Sequence, residues 1–401
     1  MYLEIIAAII LGMLSGIVTG LTPGIHVNLV ATTLLALSPF LLRYTSPFSL
    51  AAFIMSLAVV HSFLDTIPST YLGAPESENA LSVLPAQKML LKGEGYMAVK
   101  LTILGTYSGL ILALLLVPLF IFIANWLYPI LKPYLLYLLL MIVAFMLFRE
   151  KEKIWSTLLF MTAGTLGVIV FSLPNLAEPL FPLLSGMFGI SGLLISYFEN
   201  TKIPVQKFTK EIDLTIKELG KVLMGSSLAV FLIQFFPGMG PSQGAVISNQ
   251  IVKDIKDKAY LALIGAMGTM SVIFSLVTFY ALGKAKDGSI VVMEKLFEID
   301  TLSFVLLLLV FFIAGSVSVF LTLFFAKQFS KLIVKVNYKA LVVSIIAFIV
   351  LMCAFLNGWV GLVVLATASA VGLIAPLKNI PRNHAMGCLL VPVLVYLIMA
   401  V

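Results

Sequence analysis

Two short stretches hold most of the residues that could do chemistry. "GLTPGIHVN" (Gly20 to Asn28) sets Thr22, Pro23, Gly24, His26 and Asn28 in an otherwise apolar run. "FFPGMGPSQG" (Phe235 to Gly244) does the same with Pro237, Gly238, Gly240, Ser242 and Gln243, followed by Asn249. Proline removes a backbone donor and clashes with the preceding turn, and glycine admits conformations that other residues avoid. Each stretch is therefore expected to end one helix and begin another. The first amides of the second helix, with the positive end of its dipole, make an anion site that needs no charged side chain. A carboxylate or a phosphate is the chemistry such a site suits. Thr22, His26, Asn28, Ser242 and Gln243 are expected to add polar contacts. The competing reading is an ordinary pair of kinks, with His26 a satisfied core histidine.

A third stretch, "HSFLDTIPSTYLGAPESENALSVLPAQK" (His61 to Lys88), carries His61, Asp65, Glu76, Glu78 and Asn79 among three prolines. It is too polar to cross a bilayer and too apolar for a plain loop. Ionisable groups at membrane depth mark ion or proton paths. Asp65, Glu76 and His61 are thus candidates for a coupling Na+ or H+. Solvated loop positions for Glu76 and Glu78, and a helix-end position for Asp65, are the alternatives. His384, close to Arg382 in a short loop, is expected to be solvated.

The elements that must position these residues follow from composition. The 401 residues are 61% hydrophobic and 11% charged, against roughly 25% charged in a soluble domain. Apolar runs of about 20 residues recur, each enough for a hydrocarbon core of about 30 Å. The expected fold is an all-α polytopic membrane protein. Expected crossings are 47–64, 98–124, 127–148, 154–173, 179–197, 259–283, 301–325, 339–357, 359–376 and 385–401. The arms 3–21 with 25–42, and 222–236 with 241–252, form two broken hairpins. The net charge of +7 comes from loops near residues 149–153, 202–221, 253–258, 327–339 and 378–382. These can all face one side, as the positive-inside bias requires, and no nucleic-acid partner is implied. The N-terminus lacks a basic region and a small-residue cleavage site, so it does not read as a signal peptide. Cys353 and Cys388 lie in apolar runs and read as inert core residues. No CxxC, HExxH, GxSxG or Walker pattern occurs, so neither an enzyme nor an ATP-driven pump is expected.

The chain also repeats. Pro23-Gly24 and Pro237-Gly238 stand 214 positions apart in the sequence. "YLGAPESENALSVL" (Tyr71 to Leu84) aligns more weakly with "ALGKAKDGSIVVME" (Ala281 to Glu294). Each copy holds one hairpin and five crossings, and an odd number turns the second copy upside down. Inverted repeats with broken helices at the midplane are a plan of secondary transporters. The expected organisation is an N-terminal repeat 1–198, a cytoplasmic linker 199–221 and an inverted C-terminal repeat 222–401.

With "IPSTYLGAPESENALSVLPAQKMLLKGEGYMAVK" (Ile67 to Lys100), the two break motifs resemble the TctA-like family. That family comprises the large membrane subunit of tripartite tricarboxylate transporters and short archaeal-type relatives. The resemblance covers nearly the whole chain. It implies a secondary carrier of organic acids with Pro23-Gly24 and Pro237-Gly238 in its substrate site. It also implies a small membrane subunit and an extracytoplasmic binding protein as partners. A homodimer in the surrounding lipid is left open. The acidic "APESEN" and the basic "GKAKDG" stand where tripartite subunits have Gly-rich loops. The expected function is ion-coupled transport of a small organic anion. A polyprenyl-phosphate lipid-carrier translocase is the alternative, and a scaffold without transport is a third reading.

Overall fold

A computed structural model describes residues 2–23, 27–73, 81, 83–174, 176–198, 203–209, 211–212, 214–236, 239–252, 255–335 and 337–399. Every regular element among them is helical. The chain opens with α1 (Tyr2–Leu21) and α2 (Val27–Leu41), then α3 (Pro47–Leu64), α4 (Thr66–Tyr71) and α5 (Val83–Leu90). The long α6 (Gly95–Leu131), α7 (Leu135–Phe148) and α8 (Lys153–Ser172) follow. A segment of α9 (Leu180–Leu184), a π-helical turn (Ser185–Ile190) and α10 (Ser191–Phe198) closes the first half. The second half runs α11 (Ile216–Ile233), α12 (Pro241–Ile251), α13 (Asp257–Leu282), α14 (Gly288–Leu296) and α15 (Thr301–Ile333). It ends with α16 (Tyr338–Leu377), a 3-10 turn (Arg382–Met386) and α17 (Gly387–Met399).

Among the described residues, eight helical stretches are long and apolar enough to cross a membrane. Two are long enough for two crossings. Gly95–Phe148 has 54 residues and Lys339–Leu377 has 39, roughly 80 and 60 Å at about 1.5 Å per residue. The 3-10 turn Lys132–Tyr134 divides the first stretch, several residues later than the boundary expected between 124 and 127. Gly358, with φ 61 and ψ −156, divides the second; this conformation is open to glycine and falls where the sequence places the division.

Both pairs of arms break where expected, although α11 packs on α12 whereas α2 packs on α14 and not along α1. α1 stops at Leu21 and α2 restarts at Val27, while α11 stops at Ile233 and α12 restarts at Pro241. Their arms differ in reach. α1, with 20 residues, is about 30 Å long, whereas α12, with 11, is about 16 Å and falls short of a crossing.

The helix directions follow from side-chain contacts. Gly105 and Gly109 of α6 face Ala262 and Ala266 of α13, and Thr269 Oγ1 donates to Thr106 O at 2.8 Å. These helices run parallel. Gly315 of α15 sits near Val59 and Phe63 of α3, and Tyr71 OH bonds Ser330 and Ala326 O. These are parallel too. Tyr71 also abuts Gly95 at the start of α6, while Tyr107 OH meets Ser316 Oγ at 3.3 Å. α6 therefore runs antiparallel to α15, and α3 antiparallel to α13. Each long helix packs on the third helix of the other half.

The basic loops gather at one end of this bundle. His384 Nε2 lies 3.3 Å from Glu150, Arg149 donates to Gln250, and Lys378 covers the Trp155 ring. Lys88 pairs with Asp257 and Lys258 with Glu94, each at 3.9 Å. The linker joins the same end: Lys207 N donates to Gly93 O at 2.8 Å. Buried Gln206 accepts from Gly95 N at 2.8 Å and donates to Leu90 O and Pro204 O. Part of the expected linker is helical, because Thr215 and Glu218 form a reciprocal N-terminal cap that starts α11 at Ile216.

Candidate functional site

The first break is built on a tight helix pair. Gly12, Gly16 and Gly20 line one face of α1, and a Cβ at any of them would fall within 3.0 Å of an atom of α3. This small-residue ladder lets two membrane helices touch backbone to backbone. It brings Thr19 Oγ1 to 3.0 Å from His61 Nδ1, both buried. One turn on, Asp65 sits at the α3–α4 junction, its N–H donating to His61 O at 2.9 Å, and it is 2% exposed. His61 and Asp65 thus share a buried face behind the break. Asp65 does stand at a helix end, as the C-cap of α3 and the N-cap of α4.

The remaining first-break residues divide. Thr22 donates its hydroxyl proton to Val18 O at 2.7 Å, which leaves it lone pairs but no donor. Pro23 follows in the turn that ends α1. Gly24, His26, Glu76, Glu78 and the side chain of Asn28 lie outside the described residues.

At the second break, α12 begins with Gly240 as its cap and Pro241 in the first turn. Gln243 reaches back so that its Oε1 accepts from Gly240 N at 2.9 Å. That contact turns Gln243 toward its own helix start. Ser242 and Gln243 are both buried. Pro237 and Gly238 lie outside the described residues. The amides that open α12 have no intrahelical acceptors, so the helix presents its positive end at this turn.

Beside this break is a cavity of about 420 Å³ walled by α6, α7, α11, α13 and the turn after α13. Tyr128, Lys132, Gln234, Phe235, Lys284 and Lys286 line it. Two of its lining rings, Tyr128 and Phe235, stack at 5.7 Å, and Phe235 in turn stacks on Phe120 at 6.3 Å. Lys286 Nζ donates to Ile233 O, the last carbonyl of α11. An ammonium at a helix C-terminus meets the negative end of the dipole. Burial pushes this ammonium down to about 7. Lys284 Nζ donates to Tyr128 OH at 3.0 Å. No acidic side chain is among the described lining residues.

Sequence reasoning singled out neither Lys284 and Lys286 nor Gln234 as site residues. A signal was present. The "GKAKDG" lysines lie outside the five basic loops, at the opposite end of α13, where charge bias does not ask for them. A second cleft of about 240 Å³ lies at the basic end, lined by Lys88, Asn249, Tyr260, Arg382 and Asn383. His384, expected in solvent, is fully buried beside Glu150. The 3-10 turn Arg382–Met386 folds it inward against α8, which the sequence pattern of a short polar loop did not reveal. No group of three or more metal-binding side chains occurs among the described residues.

A helical bundle with two breaks, its basic loops at one end and a cationic cavity toward the other, is the architecture of a multi-pass membrane protein. The chain belongs to the tripartite tricarboxylate transporter TctA family, whose model matches residues 6–387. It is thus a multi-pass member of a transporter family. It is 29% identical over 400 residues to the uncharacterized protein MJ1079 of Methanocaldococcus jannaschii, covering 97% of this chain and 98% of that one. No solved structure matches the chain.

Proposed function

We propose that the protein is a secondary carrier for a small organic anion of the di- or tricarboxylate type, working by alternating access between two inverted repeats. The observation that carries this reading is the cationic cavity at the second break, acid-free among its described lining residues. Family membership supports the carboxylate class. The antiparallel course of α3 and α13, each following a broken hairpin, supports the inverted repeat. The 240 Å³ cleft at the basic end supports a second access route.

In this reading the opening amides of α12 and the matching turn before α2 hold the substrate carboxylates. Substrate residues are Thr22, Pro23, Gly24, His26, Asn28, Pro237, Gly238, Gly240, Ser242 and Gln243. Asp65 and His61, with Glu76, carry the coupling Na+ or H+. A carboxylate at a buried, hydrogen-bonded position takes up a cation when the anion's charge must be balanced. An extracytoplasmic binding protein and a small membrane subunit deliver the substrate.

The test is uptake by the purified protein in liposomes, with labelled di- and tricarboxylates under imposed Na+ or H+ gradients. Gradient-dependent uptake is expected. Absence of uptake for every acid under both gradients overturns the proposal.

A further inference from the structure

Three observations on the cavity at the second break remain unused by the helix-end mechanism. Lys284 is exposed and outside any helix, and Lys132 sits in the 3-10 turn between α6 and α7. With Lys286 they put three ammonium groups around one cavity at the end of the bundle away from the basic loops. Positive residues on that side work against the topology bias, so a role other than orientation holds them there. The acid next in sequence, Asp287, is not among the lining residues, and its carboxylate caps α14 by accepting from Ser289 N at 3.0 Å and Ser289 Oγ.

Gln234 supplies the third observation. It lines the cavity and is 7% exposed. Its Nε2 donates to Ser271 O at 2.9 Å. A carbonyl can face only the amide nitrogen, so this bond fixes which end of the side chain is oxygen. That oxygen, Oε1, is buried and accepts a hydrogen bond from none of the described residues. A buried acceptor left without a donor carries the full cost of its lost hydration. A ligand that brings an O–H to it recovers that cost.

We propose that this cavity is an entry site for an oxyanion that also carries an O–H, the charge held by Lys132, Lys284 and Lys286 and the hydroxyl donated to Gln234 Oε1. It rests on the reading of the chain as an anion carrier and adds a site distinct from the Pro-Gly turns. The site faces the side opposite the basic loops and precedes the turn at Pro237-Gly238. A hydroxycarboxylate and hydrogen phosphate share the required chemistry.

The experiment is binding to purified full-length protein in nanodiscs, by calorimetry, with malate, succinate and hydrogen phosphate as probes. Malate and succinate differ by one hydroxyl. Malate is expected to bind about tenfold more tightly than succinate, the size of one hydrogen bond to a buried acceptor. In Gln234→Met that ratio falls to near one. In Lys284→Gln, at an exposed position that folding does not need, both acids weaken severalfold. Preference for hydrogen phosphate over malate assigns the site to a phosphate group instead of a hydroxy acid. Equal affinity for malate and succinate in the wild type removes Gln234 from the site and overturns the proposal. Unchanged affinity in Lys284→Gln, or no binding of any of the three probes, overturns it as well. Liposome uptake separates this from the transport reading. Binding without uptake leaves the site standing and fails the carrier, whereas uptake unaltered in Lys284→Gln and Gln234→Met keeps the carrier and fails the site.

Discussion

On α1, Gly12, Gly16 and Gly20 bring the helix against the backbone of α3, and the polar groups behind the break are an imidazole and a carboxylate. On α11 the contact with α13 runs through side chains. Ser226 Oγ reaches Leu263 O at 3.4 Å, Gln234 reaches Ser271, and Phe231 and Phe235 sit on the Phe120 cluster. The polar groups at that break are lysines and an amide. The comparison separates two jobs. A backbone-to-backbone seam has two fixed partners and no slack, so the first hairpin holds a position. A seam of rotatable side chains can shift by rotamer changes, so the second hairpin suits an element that meets a ligand. The residues proposed for cation coupling, His61 and Asp65, stand on the fixed side, and the lysines of the cavity on the adaptable side.

The sharpest way to break this contrast is to widen the first seam. Gly16→Val places a Cβ 2.7 Å from Val60 Cβ and 2.8 Å from Leu57 O. Backbone on one side cannot yield, so a loss of about 1–3 kcal/mol or more is expected, read as lowered thermal stability and yield in detergent. Asp65→Asn is expected to reduce gradient-driven uptake by about tenfold or more while the protein stays folded, since it removes the buried carboxylate proposed to take up the coupling cation. Glu78→Gln is expected to act less, and equal uptake in wild type and both variants would remove both carboxylates from coupling. Gly225→Ala tests another side-chain contact of α11, the one with α12. Its Cβ meets Ser248 Oγ and Val252 Cγ2 at 2.6 Å, both side-chain atoms. A melting shift much smaller than that of Gly16→Val is expected, and equal shifts would end the distinction between backbone and side-chain seams. Smallest is a pH effect. Lys286 is charged below about 7 and neutral above it, with Lys132, Lys284 and Tyr128 facing the same cavity. Anion affinity should fall as pH rises from 6 to 8, and Lys286→Arg, charged throughout, should flatten that curve in a binding titration.

Much of this was legible in the sequence. The apolar runs gave the helices, and Pro23 and Pro237 marked the breaks because proline leaves a helix little choice. Gly358 fell between two runs and divides them. The boundary near Lys132 was harder to read, since Pro129 is accommodated inside α6 and the turn forms at Pro133. The sites were legible by residue type and not by contact. Asp65 and His61 could be named from their rarity in an apolar run, but Thr19 and the glycine ladder that seat His61 belong to a different helix. Lys286 looked like a loop charge, because nothing in "GKAKDG" says that its side chain turns back to the end of α11. His384 was misread for the same reason. Local polarity does not report a 3-10 turn that tucks a residue under a neighbouring helix.

The crossed packing of the long helices limits how the molecule can move. α6 is seated on α13 and α15 on α3, so the stretches before and after the linker clasp each other like two hands with fingers exchanged. Hinging one stretch away from the other would tear both clasps, so the proposed alternating access must run through shorter elements of each repeat, and a fragment produced alone would lack a wall for its central helix. The clasp is the frame, and the parts left to travel are the short arms hung at its sides, above all the roughly 16 Å α12.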